Sequence, residues 1–399
     1  MRILTFTSLF PNSIDPAHGI FIFQRATHLG RLPGNNVEVI SPVPYFPRYI
    51  KLARWRTAAA LPSEERVGDL IVHHPRYFLL PKISMPVHAL LMFLGSLPLA
   101  LRMNAQAGFD CIDAHFVYPD GLAAVLLGKV LKVPVVVSAR GTDINVYPSF
   151  RSIRPMIRWT LSQAHEIIAV SASLMEAMHA LGASTYKTHV ISNGVDGDRF
   201  ERVDPVQARI QLGLQAGIPF IVSVGALIPA KGHEKLIKAF KQIVPRHPNL
   251  RLYILGEGPS RLNLTSLIQK LDLQDRIQLP GKRPNEELKS WFSASEVSCL
   301  VSEREGWPNV VTESLACGTP VVATRVGGIP EILHSEHLGV LVDQTLDAIA
   351  LGLETALSRP WDRKAISEQT RKRTWSHVAR EVEAVLARHI KRPEQDSSS

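Results

Sequence analysis

The residues best suited to chemistry lie in one stretch, Ser302 to Glu331, SEREGWPNVVTESLACGTPVVATRVGGIPE. A strand ending near Val301 runs into a loop holding Glu303, Glu305 and Gly306. Pro308 stands where a helix begins, because proline suits the first helical position. Asn309, Val310, Glu313 and Ala316 follow on that helix, and Gly318 ends it. The first N–H groups, on Asn309 and Val310, lack intrahelical partners, and the positive end of the helix dipole adds to them. Such a site suits an anion such as a diphosphate. Glu313 lies four residues after Asn309, on the same face and one turn deeper. A carboxylate there can accept two hydrogen bonds from a ribose diol. Glu305, ahead of the helix, is placed to hold sugar hydroxyls. A random pair of glutamates is usually solvated, but a helix start, a proline and a glycine frame this one.

Other strand-to-loop junctions carry further candidates. Gly225 opens the loop GALIPAKG after the strand Phe220 to Val224, and Lys231 closes it before a helix. A lysine there can neutralise a diphosphate as it leaves. Glu257 lies in Gly256-Glu257-Gly258 after another strand, near the expected nucleotide, although GxG alone is a weak signal. Gly19 lies in the loop after the first strand, where glycine allows close backbone approach to a phosphate or acceptor. His115 ends a strand in DAHF, where a lone histidine is often only a core residue. Arg140-Gly141-Thr142-Asp143 ends the next strand. Asp143 either binds acceptor hydroxyls or caps a helix, and Arg140 joins it in the expected acceptor set. Asn193 is a hinge residue with a structural or a ligand role.

These residues need elements that hold them at one end of a sheet. The first half alternates short β-like runs (Ile3–Thr7, Val37–Ser41, Leu70–His73, Asp110–His115, Val133–Ser138, Ile167–Val170, Thr188–Ile191) with helical stretches such as Gly121–Leu131 and Ala172–Leu181. That alternation implies a parallel sheet with helices on both faces. Asn193-Gly194 is a turn signal, after which the pattern restarts with Phe220–Val224, Leu250–Leu255, Ile277–Leu279, Val297–Val301 and Pro320–Ala323 as strands. The expected organisation is α/β: two doubly wound, Rossmann-like domains, 1–195 and 196–373. An amphipathic basic helix near 374–390 packs back on the first. Ligands bind at the carboxyl ends of strands in such sheets, so two facing domains make a central cleft.

The 399 residues are 45% hydrophobic, 20% charged and 7% aromatic, which excludes disordered, collagen-like and disulfide-scaffold chains. The net charge of +9 favours anionic partners without choosing among them. Three cysteines, Cys111, Cys299 and Cys317, form no CxxC pair and sit in apolar runs, which reads as buried thiols in a reducing compartment. The N-terminus reads as a strand rather than a signal peptide. Ile83 to Leu101 is uncharged and near the ~20 residues of a spanning helix, but Pro86, Pro98, Gly95 and His88 favour a partly buried surface helix. Arg48, Lys51, Arg54 and Arg56, interleaved with Tyr45, Phe46 and Trp55, form a basic aromatic patch. With the apolar segment it can rest on an anionic membrane face, or it is simply a solvated loop.

EGWPNVVTESLACGTPVVAT…GGIPE resembles the donor-binding signature of glycosyltransferase family 4, retaining enzymes of the GT-B architecture. The family's Glu-x7-Glu pair falls on Glu305 and Glu313. FPNSIDPAHGIF, DAHFVYPDGLAA, SARGTDIN, ISNGVD, VGALIPAKGHEKLIKAF and LGEGP agree in chain order, so the resemblance covers nearly the whole chain. The start and ARGTD are most similar to bacterial capsule, teichuronic acid and exopolysaccharide transferases. The resemblance implies that His115 lies beside the transferred sugar and that Lys231 serves the diphosphate. The family often has an arginine where this chain has Ala226, and His-Gly where it has Arg140-Gly141. Either Lys231 acts alone, or Arg140 or Arg304 compensates.

The implied function is retaining transfer of a sugar from a UDP- or GDP-sugar to a saccharide or polyprenyl-linked acceptor in cell-surface polysaccharide biosynthesis. The leaving phosphate takes the acceptor's proton, and no metal or other cofactor is expected. Catalytic roles fall to His115, Lys231 and Glu305. Donor contacts fall to Gly19, Gly225, Lys231, Glu257, Glu305, Gly306, Pro308, Asn309, Val310 and Glu313, and acceptor contacts to Arg140 and Asp143. The expected location is cytoplasmic, with peripheral contact at the inner face of the plasma membrane. The alternatives are a sugar-nucleotide 2-epimerase or a non-catalytic nucleotide-sugar binder on the same architecture. Nucleic acid is not an expected partner, since charge alone suggests it and no nucleic-acid motif supports it.

Overall fold

A computed structural model describes residues 1–45, 60–79 and 85–390. The basic patch from Phe46 to Arg56, the first two residues of the apolar segment and the polar tail lie outside the described residues. The chain divides into two compact units, Met1–Asn193 with the segment from Trp375, and Gly194–Thr374. The first division falls at the Asn-Gly turn.

The N-terminal unit holds an eight-stranded sheet ordered β10-β9-β8-β7-β1-β2-β5-β4. Its strands are β1 (Arg2–Phe6), β2 (Asn36–Ile40), β4 (Glu64–Val67), β5 (Leu70–His73), β7 (Cys111–His115), β8 (Val135–Ala139), β9 (Glu166–Ala169) and β10 (Thr188–Val190). All neighbours are parallel except the β4–β5 pair. β7, β8 and β9 are buried at every position, as expected of strands covered by helices on both faces. β4, with sequence EERV, alternates exposed and half-buried residues at the sheet edge. Charged edge strands discourage pairing with other chains, and a search for apolar runs passes over them. Two further short strands, β3 (Val43–Tyr45) and β6 (Arg76–Phe78), form a separate parallel pair.

The last helix, Trp375–Leu386, completes this unit's core. Trp375, Val378, Ala379, Val382, Val385 and Leu386 are buried in one cluster with Ile22, Ala26 and Leu29 of the helix Ile20–Gly30 and with Val37, Val39 and Val72 of the sheet. The helix His88–Gln106 buries Ala89, Met92, Ser96, Ala100 and Met103, spaced three or four apart, and packs on β6 and on the helix Leu122–Leu131. Its other side leaves Leu90, Leu94 and Leu101 exposed. Met85–Gln106 is long and apolar enough to cross a membrane by length and composition.

The C-terminal unit carries a six-stranded, all-parallel sheet ordered β13-β12-β11-β14-β15-β16. Its strands are β11 (Phe220–Val224), β12 (Arg251–Leu255), β13 (Ile277–Gly281), β14 (Val297–Leu300), β15 (Val321–Thr324) and β16 (Gly339–Val342). Each sheet reverses its strand order once, between β1 and β7 in the first unit and between β11 and β14 in the second. Loops leaving such a switch point flank a crevice where ligands bind. Lys231 follows β11 and Glu305 follows β14. His115 ends β7, and Gly19 lies in the connection after β1. Cys111, Cys299 and Cys317 are buried free thiols, and burial pushes the pKa of each up.

Trp375 is 4% exposed and sits among helix and sheet side chains of the N-terminal unit. Trp375→Ala removes that packing, a loss of about 3–5 kcal/mol for a buried tryptophan. Urea unfolding followed by circular dichroism should show an earlier transition for the N-terminal unit, while the C-terminal unit's transition stays in place.

Candidate active site

In the C-terminal unit the loops after β11 and β14 are joined by backbone. Glu303 N–H donates to Ala230 O at 2.9 Å. Gly232, at φ +69°, leaves no room for a side chain, since a Cβ there would lie 2.0 Å from Val301 O. The approach brings Lys231 to Glu305: Nζ donates to Oε1 at 2.5 Å, and Ser302 Oγ donates to the same oxygen at 2.6 Å. The side chains are 25% and 10% exposed, so the pair borders solvent. Gly327, at φ +53°, comes so close to the Glu305 carbonyl that a Cβ would lie 2.0 Å from it, and Gly328 N–H donates to Gly306 O at 3.0 Å. The GGIPE glycines therefore set the backbone of Glu305 and Gly306.

The helix spans Asn309–Ala316, with Pro308 as its N-cap at φ −78°, ψ 100°. Pro308 thus stands one residue before the first helical position, not in it, because its extended ψ aims its carbonyl to accept from Val311 N–H at 3.0 Å. Asn309 and Val310 form the first turn. Glu313 lies one turn deeper, and burial raises its pKa to about 7, with nearby Arg199 opposing and Asp196 adding to the rise. Gly225 N–H is tied to Leu255 O at 2.9 Å, which fixes the start of the Lys231 loop. Glu257 pairs with Arg261 at 3.1 Å in an exposed i,i+4 arrangement, while its backbone carbonyl accepts from Leu227 N–H. A cavity of about 600 Å³ in this unit is lined by Gly232, His233, Lys238, Asn263, Leu264 and Glu303. Lys231, Glu305 and Glu313 are not among its walls, so the carboxylate set lies outside it.

In the N-terminal unit a chain of polar contacts crosses the carboxyl ends of β7 and β8. Arg25, on the helix Ile20–Gly30, donates from Nη2 to Asp113 Oδ1 at 2.7 Å and from Nη1 to Ser138 Oγ at 2.8 Å. Burial works against the Asp113 carboxylate, but Arg25, His115 and Arg140 outweigh it and hold its pKa down at about 2. His115 is fully buried. Its Nε2 faces Asp113 Oδ2 at 3.3 Å, and its Nδ1 meets Arg140 Nη2 at 2.5 Å. Burial, more than any neighbour, lowers its pKa to about 3, so the ring is neutral. Arg140 Nη1 also donates to Asn193 Oδ1 at 3.1 Å, and its guanidinium lies 5.3 Å from the Phe21 ring centre. Burial and the nearby Arg25 lower its pKa, yet a guanidinium remains charged at neutral pH.

The structure shows what each residue with more than one role open to it touches. Asp143 is fully buried and accepts backbone N–H groups of Val117 at 2.8 Å, Gly141 at 2.8 Å and Arg140 at 3.1 Å. Its carboxylate anchors the loop backbone. Gly19, at φ +65°, touches its own unit: a Cβ would lie 2.3 Å from Leu9 O. Its glycine requirement therefore comes from that contact. Arg25 and Asp113 escaped sequence reasoning, although the signal was present. Arg25 shares the apolar face of Ile22, Ala26 and Leu29, and Asp113 lies inside a wholly buried strand, where a charge needs a partner. Asp120 was also missed. Burial raises its pKa to about 7, and it accepts from Ser8 N–H. Among the described residues no group of three or more His, Cys, Asp or Glu side chains is placed to hold a metal ion.

Glu313 yields a pH prediction. Its pKa rises from 4.5 in the unfolded chain to about 7 in the fold. Its stability contribution is therefore complete below pH 4.5 and lost as pH climbs through 7, a span worth up to about 3 kcal/mol. Glu313→Gln removes the titration at constant shape. Urea midpoints of the two proteins should coincide near pH 4.5, and the variant should be the more stable at pH 7.5. Parallel curves across that range would show that Glu313 does not titrate there.

Residues 26–199 match the family described as Glycosyltransferase Family 4, and residues 207–373 match that described as Glycosyl transferases group 1. A teichuronic acid biosynthesis glycosyltransferase of Bacillus subtilis (strain 168) is 28% identical over 350 residues, covering 86% of this chain and 85% of the relative. An uncharacterized glycosyltransferase of Methanocaldococcus jannaschii is 30% identical over 290 residues, covering 69% of this chain and 74% of that protein. The crystal structure of Anabaena HepE in complex with UDP superimposes with a TM-score of 0.71 at 19% identity, covering 97% of this chain and 100% of that one. Two parallel-sheet units, two family matches in sequence and these relatives agree: the chain is a GT-B transferase and belongs to the glycosyltransferases of group 1 and family 4.

Proposed function

We propose that the C-terminal unit binds a nucleotide diphosphate sugar, UDP- or GDP-linked, and that the N-terminal unit presents a saccharide or lipid-linked saccharide acceptor. Transfer retains the anomeric configuration and serves cell-surface polysaccharide assembly. The observation that carries this reading is the Lys231–Glu305 pair, held by the loops after β11 and β14 at the sheet's switch point, with Glu313 on the helix that follows the second loop. The relative concerned with teichuronic acid, matched over most of both chains, supports the polysaccharide role. The structural neighbour solved with UDP supports a nucleotide-linked donor.

In the proposed step the acceptor oxygen bonds to the anomeric carbon on the face from which the diphosphate departs. The bond from that carbon to the phosphate oxygen breaks, its electron pair stays on the phosphate, and the same phosphate takes the acceptor's proton. Lys231 and the start of the helix Asn309–Ala316 offset the growing charge. Glu313 receives the ribose diol, Glu305 receives sugar hydroxyls, and Gly225, Gly306, Pro308, Asn309 and Val310 shape the backbone around the donor. His115, neutral, with Nδ1 on Arg140 and Nε2 facing Asp113 at 3.3 Å, acts by holding Arg140. The exposed leucines Leu90, Leu94 and Leu101 suit peripheral contact with an anionic membrane on the cytoplasmic side. Failure to pellet with anionic liposomes at low salt would remove that contact from the proposal.

A thermal-shift panel of UDP, GDP, ADP and their sugar conjugates, with and without EDTA, tests the donor reading. A ligand at 100 times its dissociation constant stabilises by about 2.7 kcal/mol. One nucleotide family should raise the melting temperature, insensitive to EDTA, and Glu313→Ala should abolish the rise. No shift with any nucleotide overturns the reading. With the donor known, an assay lacking acceptor should give no epimerised sugar, and Lys231→Ala should cut turnover by about 100-fold or more, as for other preorganised charge stabilisers.

A further inference from the structure

Among the described residues Arg140 has no carboxylate partner. Its two terminal nitrogens donate to neutral acceptors, His115 Nδ1 at 2.5 Å and Asn193 Oδ1 at 3.1 Å. Its Nε is buried without a hydrogen-bond partner. Among the described residues no ion pair forms with it. The two nearby carboxylates are engaged elsewhere: Asp113 is paired with Arg25, and Asp143 is bonded to three backbone N–H groups, one of them from Arg140 itself. A guanidinium carries five N–H donors. Two are used here and Nε–H faces the interior, which leaves one on each terminal nitrogen.

The cradle keeps the cation in place without cancelling it. His115 accepts from Arg140 only while its ring is unprotonated, and burial keeps it so. Phe21 flanks the guanidinium at 5.3 Å, at the start of the helix Ile20–Gly30, which has no side-chain cap. The whole arrangement stands at the carboxyl ends of β7 and β8, the ligand-binding end of such a sheet. A planar fork with free N–H groups, held rigid at that end, matches the oxygens of a phosphate or carboxylate.

We infer that Arg140 receives an oxyanion group, a phosphate or carboxylate, carried by the acceptor. The inference rests on the N-terminal unit's acceptor role and narrows that acceptor to an anionic class. His115 and Asn193 are its positioning residues.

The test uses the full chain labelled at arginine, with the Arg140 guanidinium resonance assigned by its absence in Arg140→Gln. Inorganic phosphate, malonate and neutral inositol are titrated first alone and then with UDP at saturation. Phosphate and malonate should move the Arg140 resonance saturably in both series, and inositol should not. Arg140→Gln should bind phosphate at least about tenfold more weakly, the loss of one charge-assisted hydrogen bond, while UDP still binds. If UDP alone moves the resonance and phosphate then adds nothing, the oxyanion belongs to the donor and the inference falls. No response to either anion, with Arg140→Gln and Asn193→Ala equally destabilised, leaves Arg140 a structural clamp and also overturns it. Absence of UDP binding with phosphate still seated on Arg140 overturns the donor reading instead.

Discussion

Arg25 and Asp113 face each other at 2.7 Å with side chains 2% and 0% exposed. Removing two such charges from water costs several kcal/mol each, and only close geometry with further hydrogen bonds offsets it. Arg25 obtains both by also bonding Ser138 on β8. One side chain therefore ties a helix to two adjacent strands just below their carboxyl ends. What lies above inherits the constraint. The second oxygen of Asp113 flanks His115, whose ring then offers Nδ1 to Arg140, which in turn reaches Asn193 at the end of the unit. The next residue, Phe116, holds φ at +73°, a strained value for a bulky side chain. A backbone there persists because its surroundings over-determine it, and the contacts of Val117 N–H with Asp143 and of Gly121 N–H with Phe116 O supply part of that.

The C-terminal unit reaches a comparable order by another route. Its loops are set by backbone against backbone, with Gly232 under Val301 and Gly327 under Glu305. These contacts need no charge and leave the charged side chains near solvent. The glycines of that unit therefore read as scaffold, and the acidic and basic groups they carry are the part available to a ligand.

This difference explains what was legible in the sequence. Strands of a mostly buried parallel sheet announce themselves as apolar runs, so β1, β2, β5 and β7 to β15 were found to within two residues. β4 was missed because it is charged and exposed, and the separate pair β3 and β6 and the edge strand β16 were missed as well. The loop–helix unit around Glu305 and Glu313 was legible because its chemistry is local, within one segment of chain. The polar chain Arg25–Asp113–His115–Arg140–Asn193 spans most of the N-terminal unit's length. No local spacing links its members, and only the fold shows the three backbone N–H groups that Asp143 accepts.

The two ion pairs then divide the work by exposure. Arg25–Asp113, without water, has no cheaper partner and stays closed. Lys231–Glu305 is partly buried but reaches solvent, with side chains 25% and 10% exposed. A phosphate brings more charge than the single carboxylate it meets, so it competes with Glu305 for Lys231. Glu313 adds a proton to this exchange. With a pKa near 7 it is part-protonated in the free unit, and a diol that prefers the carboxylate must displace that proton on binding. Donor affinity should therefore rise with pH up to about 7 and level off above it.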